Sequence, residues 1–334
     1  MALLPNTRSA EFSVGLCGAA TPRQLRNCTS RALGNIATFF KLGLIGIFFL
    51  AGTSTAQPLV PTDYVSFRMN WPNRFAAQVT DFRTEAATGK IDPESSSVTF
   101  EYGVKGVRDP QGYLIRNSAG KVAVLSNLAP SMNRFIRNIV EVSNRNFPVI
   151  RVSTAGAISV PDFEKGVAKS IADLRKKNGS QDSDRVVRQL FSVPQMAAAI
   201  QDQWGRMVQM WNGVDLKIGS WYQSNGQEYV PQLGQMVPSE FYFRVLARVP
   251  CRAGASDRNC VLIEGKSIPD EKEVGQVLAA GGTVVPSADA RVVTMFTLVT
   301  DPSTLLPYLY QESRESLFGT TNTLMVARIR YRYL

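Results

Sequence analysis

The sequence contains no histidine among its 334 residues. This absence excludes Ser-His-Asp and Cys-His catalytic arrangements and any zinc site with histidine ligands. Two short segments resemble catalytic or phosphate-binding motifs but do not match them fully. The segment SAGK at 118–121 has the S-x-x-K spacing of serine acyl-enzymes but lacks their K-T-G and S-D-N partners, and CVLIEGKS has Cys260 where a phosphate-binding loop needs glycine. We therefore expect no catalytic residue, metal or cofactor. A hydrolase that uses two carboxylates remains an alternative, because two acids distant in the sequence can meet in the folded protein.

Long hydrophobic runs are also scarce. Leu42 to Gly52 forms one apolar run of eleven residues behind Lys41, followed by the small residues Ser54, Thr55 and Ala56. A helix that crosses a bilayer needs roughly 20 apolar residues, whereas the core of a secretion signal needs about 7 to 15. The pattern predicts cleavage between Ala56 and Gln57, so that residues 1–56 are a signal peptide with an N-terminal extension.

Two other interpretations of this run are an uncleaved amphipathic anchor and a buried helix. With cleavage, the mature protein is exported to the periplasm or the medium and does not span a membrane. Removal of residues 1–56 takes away five basic side chains and one acidic side chain, which lowers the formal charge from +10 to +6. The mature chain is therefore only moderately basic, and we expect no nucleic-acid partner.

Cysteine is rare, with four in the whole chain. Two of them, Cys251 and Cys260, lie outside the predicted signal and are nine positions apart. In an exported chain this spacing predicts one disulfide in an oxidising compartment. A metal pair would need further ligands, and a redox pair would need the tighter C-x-x-C spacing.

The remaining sequence alternates between strand and helix patterns. SVTFEYGVK has Val98, Phe100, Tyr102 and Val104 at every second position, which is typical of a half-buried strand. Two helical stripes follow after residue 160, and strand patterns return after residue 214. We predict an N-terminal β-rich half at 57–160, a helical segment at 161–213 and a C-terminal β-rich half with the disulfide hairpin at 214–334. The fold class is α+β: antiparallel β-meander halves, forming a half-open barrel or curved sheet, with a central pair of amphipathic helices packed on the sheet.

The chain closes on MVARIRYRYL, in which Arg328, Arg330 and Arg332 share one face of a strand. These arginines are candidates for contact with anionic groups, and a solvated strand face is the alternative. Aromatic and methionine side chains are dense around 204–222 and in the strand EFYFRVLARV. They are candidates for a ligand pocket, although core packing also explains them. The pocket candidates are Trp204, Met207, Trp211, Trp221, Tyr222, Phe241 and Phe243.

The strands SVTFEYGVK and EFYFRVLARV, the segment PVIRVSTAGAISVPDFEKG and the helices after it resemble the periplasmic lipoprotein carriers of the LolA and LolB type and the mycobacterial lipid-binding lipoproteins. They also resemble uncharacterised exported bacterial proteins that carry a late cysteine pair in a hairpin. The first resemblance implies a cavity for acyl chains between the sheet and the helices. This chain departs from the anchored members of that group in one respect, because it has Gln57 where they have a lipid-modified cysteine. We therefore expect a non-catalytic, exported carrier of an apolar or lipid-like ligand. An envelope structural or assembly protein that binds a protein partner is the alternative, and a secreted carboxylate-dependent hydrolase is the third hypothesis.

Overall fold

The computed structural model describes residues 63–86, 89–91, 95–118, 120–126, 130–146, 149–178, 193–257, 259–280 and 290–334. The predicted signal segment and its cleavage position at Ala56 and Gln57 lie outside the described residues. Among the helices in these ranges, none combines the length and the hydrophobicity needed to cross a membrane.

Strands dominate the described chain. They are β1 (Tyr64–Ser66), β2 (Arg74–Ala86), β3 (Ser96–Asp109), β4 (Gly112–Asn117), β5 (Lys121–Ser126), β6 (Ile150–Ser153), β7 (Ile158–Ser159), β8 (Asp215–Lys217), β9 (Tyr222–Val230), β10 (Gln235–Val249), β11 (Cys260–Pro269), β12 (Ala290–Thr300), β13 (Pro307–Phe318) and β14 (Thr321–Tyr333). The α-helices are α1 (Pro130–Asn146), α2 (Phe163–Asn178), α3 (Val193–Met207) and α4 (Glu271–Ala280), and a 3-10 turn spans Gln209–Trp211.

Twelve strands form one antiparallel sheet in the order β7-β6-β4-β3-β2-β14-β13-β12-β11-β10-β9, with β5 paired beside β4 on the edge of β3. The last strand, β14, pairs with β2, so the two β-rich halves share a single sheet. Its end strands in the described chain are β7 and β9, so the sheet is open. The predicted α+β class with an antiparallel curved sheet is therefore confirmed.

The two faces of the sheet follow from the alternation in the sequence. In β3, Val98, Phe100 and Tyr102 are buried, and in β14 Ile329 is buried between the exposed Arg328 and Arg330. We call the buried side the inner face and the other side the outer face. The core packs on the inner face, where α2 contributes Phe163, Val167 and Leu174 and α3 contributes Met196 and Ile200. These are the two predicted helical stripes.

A β-bulge changes the pattern within β10. Phe241, Phe243 and Val245 are buried as their alternation predicts, but the register shifts between Val245 and Ala247 and Ala247 is exposed. Because a shift of one residue exchanges the two faces of a strand, the alternation of EFYFRVLARV does not hold to its end.

The disulfide predicted between Cys251 and Cys260 is confirmed, and it closes the loop between β10 and β11. The loop extends to the end of β14, where the guanidinium of Arg252 donates a hydrogen bond of 2.7 Å to the carbonyl of Tyr333. The sequence predicts neither this contact nor helix α4, which packs on β10 and β12 over a small second core around Val274.

Candidate functional site

Most of the aromatic residues predicted to line a pocket lie in the packed core. Trp211 is fully buried, and its ring meets that of Phe243 edge to face at a centroid distance of 5.0 Å. Met207 and Phe241 are also buried. Tyr222 stacks on Phe243 with a centroid distance of 6.0 Å. These positions belong to the core, and their role in ligand binding stays a prediction.

The two remaining tryptophans differ in environment. Trp204 is half-buried, and its indole nitrogen donates a hydrogen bond of 2.9 Å to the carbonyl of Gly156. Trp221 is 49% exposed on the outer face, beneath the guanidinium of Arg244 at 4.7 Å. The sequence density of aromatics around 204–222 therefore spans both sides of the sheet, and the residues do not line one common surface.

A cavity of about 610 Å³ lies beside this region, where β7 and the start of α2 meet α3. Four apolar side chains and five exposed polar side chains line this open cavity, and we call the apolar set its wall and the polar set its mouth. The lining residues are Ile158, Val160, Phe163 and Ala197 on the wall and Ser159, Asp162, Glu164, Lys165 and Gln201 at the mouth. None of them belongs to the set predicted from aromatic density.

The local sequence explains this shape. Asp162 follows Pro161 and has a φ of 57°, a left-handed conformation in which aspartate is enriched. Its carbonyl accepts a hydrogen bond of 2.9 Å from the amide of Gly166, so the first turn of α2 starts immediately after the reversal. This turn places Phe163 on the inner wall and leaves the Glu164 and Lys165 side chains at the mouth.

A second feature of α3 is a buried ionic network between the helix and the sheet. Asp202 and Arg206, one turn apart on α3, form an ion pair. One guanidinium nitrogen of Arg206 also lies 3.4 Å from the carboxylate of Glu228 on β9. Arg314 on β13 lies 3.2 Å from both Glu228 and Glu312. Three carboxylates thus surround two guanidinium groups, all in the protein interior.

Hydroxyl groups add further hydrogen bonds to this network, although Nε of Arg206 and one carboxylate oxygen of Glu228 are buried without a partner among the described residues. Thr294 on β12 donates to Glu228 and accepts a hydrogen bond of 2.9 Å from Arg314. Tyr310 donates a hydrogen bond of 2.6 Å to Glu312, and Ser267 on β11 accepts one from Arg206 at 3.4 Å. Because Ser267, Thr294 and Arg314 are direct cross-strand neighbours, one polar row crosses three strands beneath α3.

The network also shows how strongly the sheet curls. Two strands separate β9 from β12, which corresponds to about 14 Å in a flat sheet. Yet Glu228 on β9 accepts a hydrogen bond from Thr294 on β12. In the turn after β9, the side-chain amide nitrogen of Gln232 lies 4.0 Å from the sulfur of Met325 on β14. The β9–β10 hairpin therefore folds over the inner face toward the middle of the sheet.

The environment separates the acidities of two of these carboxyl groups. Burial, together with the negative charges of Glu228 and Glu312, raises the pKa of Asp202 to about 6 despite the neighbouring arginines. Burial also opposes ionisation of Glu312, but Arg206, Arg314 and the Tyr310 hydroxyl outweigh it and lower the pKa of Glu312 to about 2. Asp202 therefore takes up a proton more readily than Glu312, which stays ionised over most of the pH range.

Sequence reasoning misses this network. The five charged residues come from α3, β9 and β13, with 112 positions between the first, at 202, and the last, at 314, and they form no motif. One signal is present in the sequence. Glu312 and Arg314 follow Tyr310 at every second position of β13, so they lie on the same face of the strand as this buried residue. The predicted arginines of β14 are placed differently, because Arg328, Arg330 and Arg332 lie on the outer face and the cavity lies on the inner face. No group of three or more acidic or cysteine residues in the described ranges is arranged to hold a metal ion.

Comparison with known proteins gives little further information. The sequence matches no known family model and no curated protein. A solved structure described as "lipid-protein interactions in lipovitellin" aligns with a TM-score of 0.40 and 9% sequence identity. The alignment covers 79% of this chain and 25% of that chain, so this chain spans about a quarter of its length. A similarity at this level does not establish a common fold or a common ligand.

Proposed function

We propose that this protein is an exported, non-catalytic binding protein or carrier for an apolar or lipid-like ligand in the cell envelope. The observation that supports the proposal is the cavity of about 610 Å³ with an apolar wall and a polar mouth. Small-molecule sites commonly measure about 300–1,000 Å³ and combine apolar walls with a few polar groups. The disulfide between Cys251 and Cys260 supports export to an oxidising compartment.

The charges at the mouth narrow the class of ligand. Asp162 and Glu164 contribute two carboxylates, and Lys165 contributes one ammonium group. The three arginines of β14 are on the other side of the sheet and add no positive charge here. A mouth with net negative charge disfavours anionic head groups, so the expected ligand has an apolar chain and an uncharged, zwitterionic or cationic polar end.

A change in the wall of the cavity tests the proposal. Ala197→Trp adds an indole to the apolar wall, whereas Ala172→Trp places the same group on an exposed position of α2 outside the cavity. Titration with phenylnaphthylamine, an uncharged apolar fluorophore, should show saturable binding to the wild type and to Ala172→Trp. We expect Ala197→Trp to weaken it about tenfold or more, a loss of about 1.4 kcal/mol. Equal binding to all three proteins would contradict the assignment of this cavity.

A protein partner is the second candidate, and the edge strand β9 favours it. Residues 223–227 of β9 are exposed at every position, and β9 is an end strand of the described sheet. An uncovered edge offers backbone groups to an added strand. The second candidate would be supported, in place of the carrier, if the wild-type protein binds no apolar probe and one protein copurifies with it in a stoichiometric amount from the envelope of its own host.

A further inference from the structure

The outer face of β14 carries a strip of three exposed arginines, Arg328, Arg330 and Arg332. The strip lies inside the sheet, because β14 pairs with β2 on one side and β13 on the other. Successive residues on one face of a strand are about 6.8 Å apart. Three positive charges therefore follow one another along about 14 Å of one strand.

The neighbours of this arginine strip do not neutralise it. Arg328 donates a hydrogen bond of 3.2 Å to Gln311, and within the described residues no acidic side chain is paired with Arg330 or Arg332. The cross-strand neighbours on the outer face are uncharged. They are Leu309 and Gln311 on β13 and Gln78, Thr80 and Phe82 on β2.

The same face of the same sheet provides a comparison. On β10 and β11, Arg244 forms an ion pair with its cross-strand neighbour Glu264. Nearby, the ammonium of Lys266 lies 4.9 Å from the ring of Tyr242, whose hydroxyl donates a hydrogen bond of 2.5 Å to Glu240. Basic residues at this end of the outer face thus have acidic or aromatic neighbours. Among the described residues, the arginine strip has neither an ion pair nor an acid opposite it.

We propose that the arginine strip binds an anionic lipid surface. Phe82 and Leu309, which are half-buried beside Arg328 and Arg330, provide apolar surface between the charges. Basic side chains next to apolar ones are the combination that favours the interface of an anionic bilayer. A nucleic-acid duplex fits less well, because its major groove, about 12 Å wide, admits a helix or a two-stranded ribbon and not the interior of a twelve-stranded sheet.

Cosedimentation with vesicles tests the proposal independently of the cavity. The protein purified from its own host is mixed with vesicles of phosphatidylcholine, with and without phosphatidylglycerol, so that a general affinity for lipid cancels when the two are compared. The test variant is Arg328→Gln, Arg330→Gln and Arg332→Gln. The control variant is Arg134→Gln, Lys169→Gln and Lys176→Gln, which removes the same charge from exposed positions on α1 and α2.

We expect the wild type and the helix control to bind the anionic vesicles more tightly than the neutral ones, by on the order of 100-fold. The strip variant should lose this difference, while a variant with lysine at the three positions should keep it, because an anionic surface attracts either cation. Equal binding by the strip variant and the wild type would overturn the proposal. So would wild-type affinity for duplex DNA equal to that for anionic vesicles, because the strip would then bind polyanions generally.

Discussion

Arg206 on helix α3 and Glu228 on edge strand β9 lie 3.4 Å apart, and both side chains are almost completely buried. The same guanidinium also pairs with Asp202 on its own helix. Arg206 therefore joins the helix that forms the cavity wall to the last strand of the sheet. Buried charges are tolerated only when they are paired, so removal of one member leaves its partners uncompensated.

Arg206→Met should consequently lower the free energy of unfolding by about 3–5 kcal/mol. The chain offers a matched control in Arg145→Met. Arg145 and Glu141 form an ion pair with the same one-turn spacing on α1, but the two side chains are 61% and 49% exposed. We expect this control to cost at most about 1 kcal/mol. Urea unfolding measures both values, and equal losses would show that burial does not set the strength of the network.

Asp202 and Glu312 should give the protein opposite responses to pH. The pKa of Asp202 is about 6 in the folded state and about 3.8 without the protein environment, so the folded state binds the proton more tightly. Its contribution to stability therefore decreases as the pH rises from about 4 to about 6. The pKa of Glu312 falls from 4.5 to about 2, so its contribution is complete above about pH 4.5 and is lost as the pH falls toward 2.

Asp202→Asn isolates the first of these effects. The unfolding free energy of the wild type minus that of the variant should decrease between about pH 4 and pH 7, by roughly 2–3 kcal/mol. Urea unfolding of both proteins at several pH values in this interval measures the difference. A difference that stays constant with pH would show that Asp202 does not titrate in this interval.

Two glycines should respond to alanine in opposite directions. A Cβ atom at Gly265 on β11 would lie 2.4 Å from the ring of the buried Phe296 and 2.8 Å from the carbonyl of Tyr242. Gly265→Ala should therefore destabilise the fold by about 1–3 kcal/mol. At Gly205 on α3, no atom of the described residues beyond the chain neighbours and the adjacent helix backbone lies within 4 Å of the added Cβ, and the better helix propensity of alanine should stabilise the fold by up to about 1 kcal/mol. Thermal unfolding distinguishes the two, and a Gly265→Ala variant as stable as the wild type would contradict this close approach of the Phe296 ring to β11.

The disulfide should contribute about 2–3 kcal/mol through closure of its short loop. Cys251→Ala with Cys260→Ala should lose this amount in urea unfolding, and reductant should bring the wild type to the same value. Arg252→Gln removes the hydrogen bond to Tyr333 but keeps the disulfide, so it should cost less than about 1 kcal/mol. A larger loss for Arg252→Gln than for the cysteine pair would mean that the contact of the loop with β14, and not its covalent closure, stabilises this end of the sheet.

The sequence predicts local structure well where one periodicity governs a whole element. The alternation of Val98, Phe100 and Tyr102 and the helical spacing of Phe163, Val167 and Leu174 correspond to buried faces in the structure. Alternation predicts less well in β10, because one bulge exchanges the faces between Val245 and Ala247.

The candidate site is largely invisible in the sequence, for a physical reason. A high density of aromatic residues indicates that they are buried, but it does not distinguish a ligand pocket from the core. In this fold they pack in the core around Trp211. The cavity and the ionic network depend on how far the sheet curls and on where α3 lies across it. Contacts such as Glu228 with Arg314 join residues that are 86 positions apart, and no spacing rule connects them.

Native mass spectrometry of the protein purified from the envelope or medium of its own host tests the carrier function most directly. We expect a chain that starts at Gln57, lacks two hydrogens because of the disulfide, and carries a stoichiometric adduct of lipid size. Organic extraction should release that ligand, and Ala197→Trp purified in the same way should carry less of it. A wild type with only the mass of the bare chain, isolated under conditions that preserve a known carrier with its lipid, would contradict the carrier function.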